Sequence, residues 1–114
     1  MKIKLLKSKI HRATVTDACL DYEGSISVDQ QLIEAANMVP YEKVHVLNVT
    51  NGHRLETYII PSNKKGEICI NGAAAHLVSP KDIIIIVSYA QMTLEESKLF
   101  KPTVVYPNEI NQIG

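Results

Sequence analysis

A small, mainly β barrel with two short helices is the fold class this sequence predicts, on three observations. Short runs alternate apolar and polar residues at period two, a β-branched run crosses the middle of the C-terminal half, and only two segments carry helix-start signals.

Lys2-Ile3-Lys4-Leu5 alternates in this way and reads as a half-buried strand. Asp29 is placed to cap a short helix over 30–37, with Leu32, Ala35 and Ala36 on one face and Pro40 forbidding continuation. Lys43-Val44-His45-Val46, continuing through Leu47 and Asn48 to Val49, alternates again. Asn51-Gly52 then predicts a hairpin turn into a second strand from Arg54 to Ile60, halted by Pro61. Asp82 to Ala90 is a continuous β-branched run of the kind that fills a buried central strand. Thr93 and Glu96 have capping-box spacing, so a second helix should run to about Phe100 before Lys101-Pro102 ends it.

The chain has 114 residues, which predicts one domain over 1–114. Its 46% hydrophobic and 21% charged residues supply a core and exclude intrinsic disorder. Twelve Lys plus Arg balance twelve Asp plus Glu, so no global field invites nucleic acid or an anionic membrane. The cluster Lys2, Lys4, Lys7, Lys9 and Arg12, with no acid before Asp17, suits local attraction of an acidic substrate as well as contact with nucleic acid.

No apolar run approaches the roughly 20 residues of a membrane span, and the N-terminus lacks the apolar region of a signal peptide. The expectation is a cytoplasmic protein without membrane partners. Cys19 and Cys69, the two cysteines, have no paired spacing and read as reduced thiols packed as small apolar groups. His11, His45, His53 and His76 do not fall at metal-ligand spacings, so no metal is expected.

Phosphate loops, dinucleotide fingerprints, zincin motifs and nucleophile elbows are absent from the sequence. What stands out is Asp21-Tyr22-Glu23-Gly24-Ser25, which holds the one Gly-Ser step in the chain. Alone it reads as a turn between an apolar strand and a helix start. It is joined by Ser8-Lys9-Ile10-His11-Arg12-Ala13, Asn48-Val49-Thr50-Asn51-Gly52, Arg54 with Thr57-Tyr58, and Ile70-Asn71-Gly72-Ala73-Ala74-Ala75-His76. In this order and spacing, from Lys9 to about Pro102, the sequence closely resembles the bacterial aspartate 1-decarboxylases.

The resemblance implies a double-psi β-barrel, assembled as a homotetramer with active sites between neighbouring subunits. It implies a proenzyme that cuts its own backbone between Gly24 and Ser25, giving a β chain of 1–24 and an α chain of 25–114. Ser25 would become a covalent pyruvoyl group, so neither pyridoxal phosphate nor a metal is needed. The implied reaction condenses the amine of L-aspartate with that ketone as a Schiff base, releases CO2 and yields β-alanine for pantothenate and coenzyme A synthesis.

Residue roles follow from the same resemblance. Lys9 and Arg54 match positions that bind the substrate carboxylates, a task suited to two cations. Tyr58 matches the proton donor, and Thr57 matches the residue that steadies the oxyanion during self-cleavage as well as part of the substrate site. Asn71, Gly72, Ala73, Ala74 and Ala75 match the turn that lines the pocket, and His11 and Tyr22 match further pocket residues. By themselves these residues read more plainly: exposed strand-end charges, a strand tyrosine, and a helix start capped by Asn71.

Three departures concern the surroundings rather than the reacting groups. The loop 61–66 is one residue shorter than expected, Leu47 stands where some relatives have an aromatic residue, and the tail after Pro107 is short. Some relatives need a separate maturation protein, on which the sequence is silent. Two other readings compete: a hydrolase pairing Ser25 with Lys9 as nucleophile and base, and a non-catalytic oligomeric β-barrel module.

Overall fold

A computed structural model describes residues 1–20 and 24–113. The elements run in the order β1 (Lys2–Thr14), β2 (Asp17–Cys19), β3 (Ser25–Asp29), α1 (Gln30–Ala35), β4 (Lys43–Asn48), β5 (Arg54–Ser62), β6 (Ile68–Asn71), a 3-10 turn (Gly72–Leu77), β7 (Ile83–Thr93), α2 (Leu94–Leu99) and β8 (Thr103–Val105).

Eight strands form one sheet in the order β2-β6-β3-β5-β4-β7-β1-β8. The run that supplies β1 near one end of this order continues directly into β2 at the other end, so the sheet must curl on itself. The junction is hydrogen-bonded on both sides: Val15 N donates to Asp82 O at 2.9 Å and Thr16 N to Ile68 O at 2.8 Å. These two bonds tie the β1–β2 junction to both halves of the curled sheet. The result is the mainly β, double-psi β-barrel with short helices that the resemblance implies.

Its interior is filled by alternating positions from every long strand. Ile10, Ile26, Val28, Val44, Val46, Ile59, Ile68, Ile70, Ile84 and Ile86 are all fully buried. Branched aliphatics dominate because they have few rotamers to lose and pack well on a pleated surface.

The strand from Lys2 is much longer than its first four residues indicate. It runs for 13 residues through register shifts at Leu6/Ser8 and Ile10/Ala13, and Arg12 takes φ 62° at the second shift. Bulges of this kind break the period-two pattern, which hides the strand from sequence reading. The short strands β3, β6 and β8 are too brief for their patterns to stand out in the sequence.

Elsewhere the expectations need specific corrections. Helix α1 buries Leu32, Ile33 and Ala36 and leaves Ala35 exposed, so Ile33 rather than Ala35 completes its core face. The β4–β5 hairpin forms, with Leu47 opposite Arg54, but not on a two-residue Asn51-Gly52 turn. Only Gly52 takes positive φ, at 82°, and Gly52 N reaches Asn48 O at 2.8 Å. The buried Asn48 side chain organises that loop, accepting from Thr50 N at 3.0 Å while donating to Asp82 at 2.8 Å.

Pro61 does not end β5. It pairs with Val28 in a parallel ladder with β3 and the strand continues to Ser62. Strand β7 sits between β1 and β4, as a central strand should, but continues three residues past Ala90 to Thr93. The capping box at Thr93 and Glu96 is present in full.

The two thiols are not both packed as apolar groups. Cys19 is exposed, and Cys69 is half-buried with its S–H donated to Asn71 Oδ1 at 3.3 Å. Among the described residues no helix is long and apolar enough to cross a membrane.

Candidate active site

Ser25 is not at a turn between a strand and a helix start: it opens β3, which then feeds α1 through the Asp29 cap. Strand β3 is antiparallel to β6 and parallel to β5, and these registers place the site. Ser25 stands directly opposite Asn71, and Ser27 opposite Cys69. Residues two apart share a face, so these four side chains form one square on the side away from Ile26 and Ile70.

Within that square Asn71 Nδ2 donates to Ser25 Oγ and to Ser27 Oγ, each at 3.1 Å. Ser25 is 1% exposed and Asn71 4%. Asn71 therefore does not cap the turn that follows it, as a helix-start reading expects; its amide is committed to the neighbouring strand. The chain leaves β6 into the 3-10 turn through Gly72, whose φ of 73° suits a residue without Cβ. Beyond it Ala73 is exposed, Ala74 half-buried and Ala75 buried.

Ile26 pairs with Ile59, so Tyr58 flanks Ser25 one residue before the paired positions. Tyr58 is half-buried, with its ring 6.2 Å from that of Tyr41. Thr57 is half-buried in register with the fully buried Val44. Gly24 is exposed, and a Cβ built there would meet no other described heavy atom within 4 Å, so local crowding does not demand glycine. Tyr22 lies outside the described residues.

The two cations occupy another part of the barrel. Arg54 is exposed at the start of β5, five residues before Ile59, or about 16 Å along the strand. It lines a groove of about 470 Å³ with Lys4, Lys43, His45, Glu56 and Tyr89. In that groove Glu56 is already engaged, 3.3 Å from Lys43 and 3.6 Å from His45. Lys9 is half-buried in β1, four strands from β3 in the sheet order, opposite Val87. Among the described residues neither Arg54 nor Lys9 has an ion pair, whereas Lys7, from the same basic cluster, is fixed on Glu42 at 3.0 Å.

His11 lines a different groove, about 740 Å³, with Arg12, Thr14, Ile83 and Tyr106 among its walls. Its ring lies edge-on to Tyr106 at 5.7 Å, and its buried Nδ1 has no hydrogen-bond partner among the described residues. Burial first, then the positive charges of Lys9 and Arg12, hold its pKa below the ordinary histidine value, favouring neutral imidazole.

One chain thus gathers Ser25, Asn71 and Tyr58 on adjoining strands, with the Gly72–Ala75 turn following Asn71, while Arg54 and His11 line two other grooves and Lys9 stands on β1. Sequence reasoning missed Ser27 and Cys69. Their signal was the alternation Ser25-Ile26-Ser27 against Cys69-Ile70-Asn71, legible only once the strands are known to pair. Among the described residues no cluster of three His, Cys, Asp or Glu could hold a metal.

A buried serine at the start of a barrel strand, hydrogen-bonded from an asparagine on the next, defines a candidate self-processing site on a small β-barrel. The family model for aspartate decarboxylase matches residues 1–114, and the chain belongs to that family. It is similar to aspartate 1-decarboxylase from Campylobacter fetus, 57% identical over 100% of this chain and 99% of the relative. It is also similar to those of Dehalococcoides mccartyi, 54% identical over 96% of this chain and 89% of the relative, and Bacteroides thetaiotaomicron, 57% over 95% and 93%.

Proposed function

We propose that this protein decarboxylates L-aspartate to β-alanine, the step that feeds pantothenate and coenzyme A synthesis. Full-length membership of the aspartate decarboxylase family is the observation that carries the reading. The catalytic group is proposed to be a covalent pyruvoyl made from Ser25, and the residues around Ser25 fit that origin. A hydroxyl 1% exposed, receiving an N–H from Asn71, is shielded from water and supported as negative charge develops on it.

Self-cleavage begins when Ser25 Oγ adds to the Gly24 carbonyl. The C–O bond forms, the C–N bond breaks, and the hydroxyl proton ends on the Ser25 nitrogen, leaving an ester. Loss of the Ser25 α-proton and cleavage of the Cβ–O bond release Gly24 as a carboxylate. Hydrolysis of the remaining enamine, with loss of ammonia, leaves the pyruvoyl at the start of the 25–114 chain. When formed, that group supplies a carbonyl electron sink for loss of CO2.

The chain's own residues bind and protonate. Arg54 and Lys9, free of internal ion pairs, offer cations to the two carboxylates of aspartate. Tyr58 is proposed to return a proton, a role supported by its position beside Ser25 in the β3–β5 register. Thr57 steadies the oxyanion, with Ala73, Ala74 and Ala75 presenting backbone to the substrate. Because Arg54 lies well along β5 from the position beside Ser25, the reading includes a homotetramer in which a neighbouring copy completes each site. His11 and Tyr22 join the pocket walls, and a maturation protein is an optional partner. A cytoplasmic location fits this role. A Ser25–Lys9 hydrolase finds less support, because the full-length family match is to aspartate decarboxylase.

The test is intact mass under denaturing conditions together with aspartate turnover. The parent should divide after Gly24, with a pyruvoyl mass on the larger fragment, and release β-alanine; Ser25→Ala should remain whole and inactive. Incubation with lysate of a bacterium carrying a relative covers the need for a maturation protein. Equal turnover by Ser25→Ala and the parent would reject the pyruvoyl assignment.

A further inference from the structure

We propose that Cys69 and Ser27 are positioning residues which hold the Asn71 amide with its N–H end on the Ser25 hydroxyl during backbone cleavage. The inference rests on the self-processing reading and assigns work to two residues outside it.

An asparagine amide has two ends of nearly equal shape and opposite hydrogen-bonding character, so its neighbours decide which end faces where. At Asn71 that choice matters. With Nδ2 on Ser25 Oγ, the serine oxygen accepts, its own proton is directed elsewhere, and the charge that builds on Oγ during attack meets a donor. With Oδ1 there instead, the serine proton would be held by the amide, and the developing charge would meet a carbonyl.

One contact selects the first arrangement and a second steadies it, since a serine hydroxyl can accept from an amide or donate to it. Cys69 S–H donates to Asn71 Oδ1 at 3.3 Å, fixing the carbonyl end away from Ser25. Ser27 Oγ accepts from Nδ2 at 3.1 Å, the same distance as Ser25 Oγ. Both partners come from the register, since Ser27 and Cys69 are the opposed pair next to Ser25 and Asn71. Burial, aided by the negative charges of Asp17 and Glu67, pushes the Cys69 thiol up to about 11, so it keeps the proton it donates at neutral pH.

The step served is the first one: the Oγ–C bond to Gly24 forms, the Gly24–Ser25 C–N bond breaks, and the hydroxyl proton passes to the Ser25 nitrogen. Cys69 and Ser27 exchange no atoms with it. Their effect is on the fraction of chains in which Asn71 presents its donor.

The experiment is the first-order rate of cutting after Gly24, followed by intact mass, for parent, Cys69→Ala, Cys69→Ser and Ser27→Ala, all with the same relative-bearing lysate. One lost hydrogen bond corresponds to about a three- to tenfold slower cut in Cys69→Ala, with a similar loss in Ser27→Ala. Cys69→Ser, which retains a donor, should recover most of the parental rate. A Cys69→Ala chain that cuts as fast as the parent overturns the clamp and leaves the self-processing reading standing. Equal slowing of Cys69→Ala and Cys69→Ser also overturns it, because packing rather than donation would then be responsible. A parent that never cuts overturns the reading and the clamp together.

Discussion

Asn71 and Ser25 face each other across the β3–β6 ladder, 46 residues apart in sequence, and the Asn71 amide donates to the Ser25 hydroxyl over 3.1 Å. The amide is inside a sheet register rather than on a loop. Its position is therefore as rigid as the barrel, which is what a stabilising donor requires.

Replacing that amide tests the arrangement. Asn71→Ala removes the donor and leaves Ser25 and Ser27 without it; Asn71→Asp presents an acceptor to an oxygen that becomes negative. Self-cleavage should slow by about a hundredfold in Asn71→Ala and more in Asn71→Asp, as measured by intact mass over days. Cutting at the parental rate in both variants would remove Asn71 from the reaction.

Arg54 tests the substrate end. It is exposed and unpaired among the described residues, so shortening its planar fork to an ammonium should leave folding intact. Arg54→Lys should raise KM for aspartate by about tenfold, with a smaller change in kcat, corresponding to about 1.4 kcal/mol of lost carboxylate contact. An unchanged KM would move carboxylate binding elsewhere.

Asn111 tests the fold independently of the chemistry. It is 1% exposed, holds φ 59°, and ties the C-terminal tail to β1 and the 63–66 loop through three bonds of 2.8 Å: from Thr14 N, and to the carbonyls of Thr14 and Gly66. Asn111→Ala leaves those buried backbone groups unanswered and should cost about 2–3 kcal/mol, read as a lower urea midpoint.

His11 predicts a pH response. Its folded-state pKa is depressed, mainly by burial and then by Lys9 and Arg12, so the unfolded chain takes up the proton more readily. Its contribution to stability is complete above the ordinary value of 6.5 and is lost as pH falls from there through the lower folded value. Melting temperatures at pH 7.5 and 5.5 should differ more for the parent than for His11→Gln. An equal drop in both would place the acid sensitivity in other groups.

How much of this was legible beforehand depends on how local the cause is. The capping box at Thr93 and Glu96, the cap at Asp29 and the β-branched run of β7 arise from neighbours a few residues apart, and each appears where its residues indicate. The motif fragments likewise pointed to the family from their order along the chain. Failures fall where the cause is distant. A proline lacks an N–H and so signals a stop, yet Pro61 lies beyond the stretch of β5 paired with β4 and is carried on in the parallel ladder with β3. Ala35 shares helical spacing with Leu32 and Ala36, but the face that α1 buries contains Ile33 instead.

The sequence by itself determined a mainly β domain, its helix starts and the candidate residues Lys9, Ser25, Arg54, Tyr58 and Asn71, because composition, caps and motifs are properties of short stretches. Only the tertiary structure decided which of them meet. Register places Asn71 on Ser25 and brings Cys69 and Ser27 beside them, while Arg54 lines a separate groove. Side chains two apart on paired strands share a face whatever their separation in sequence, and that pairing is written in the burial of Ile26, Ile59 and Ile70 rather than in any neighbouring residue.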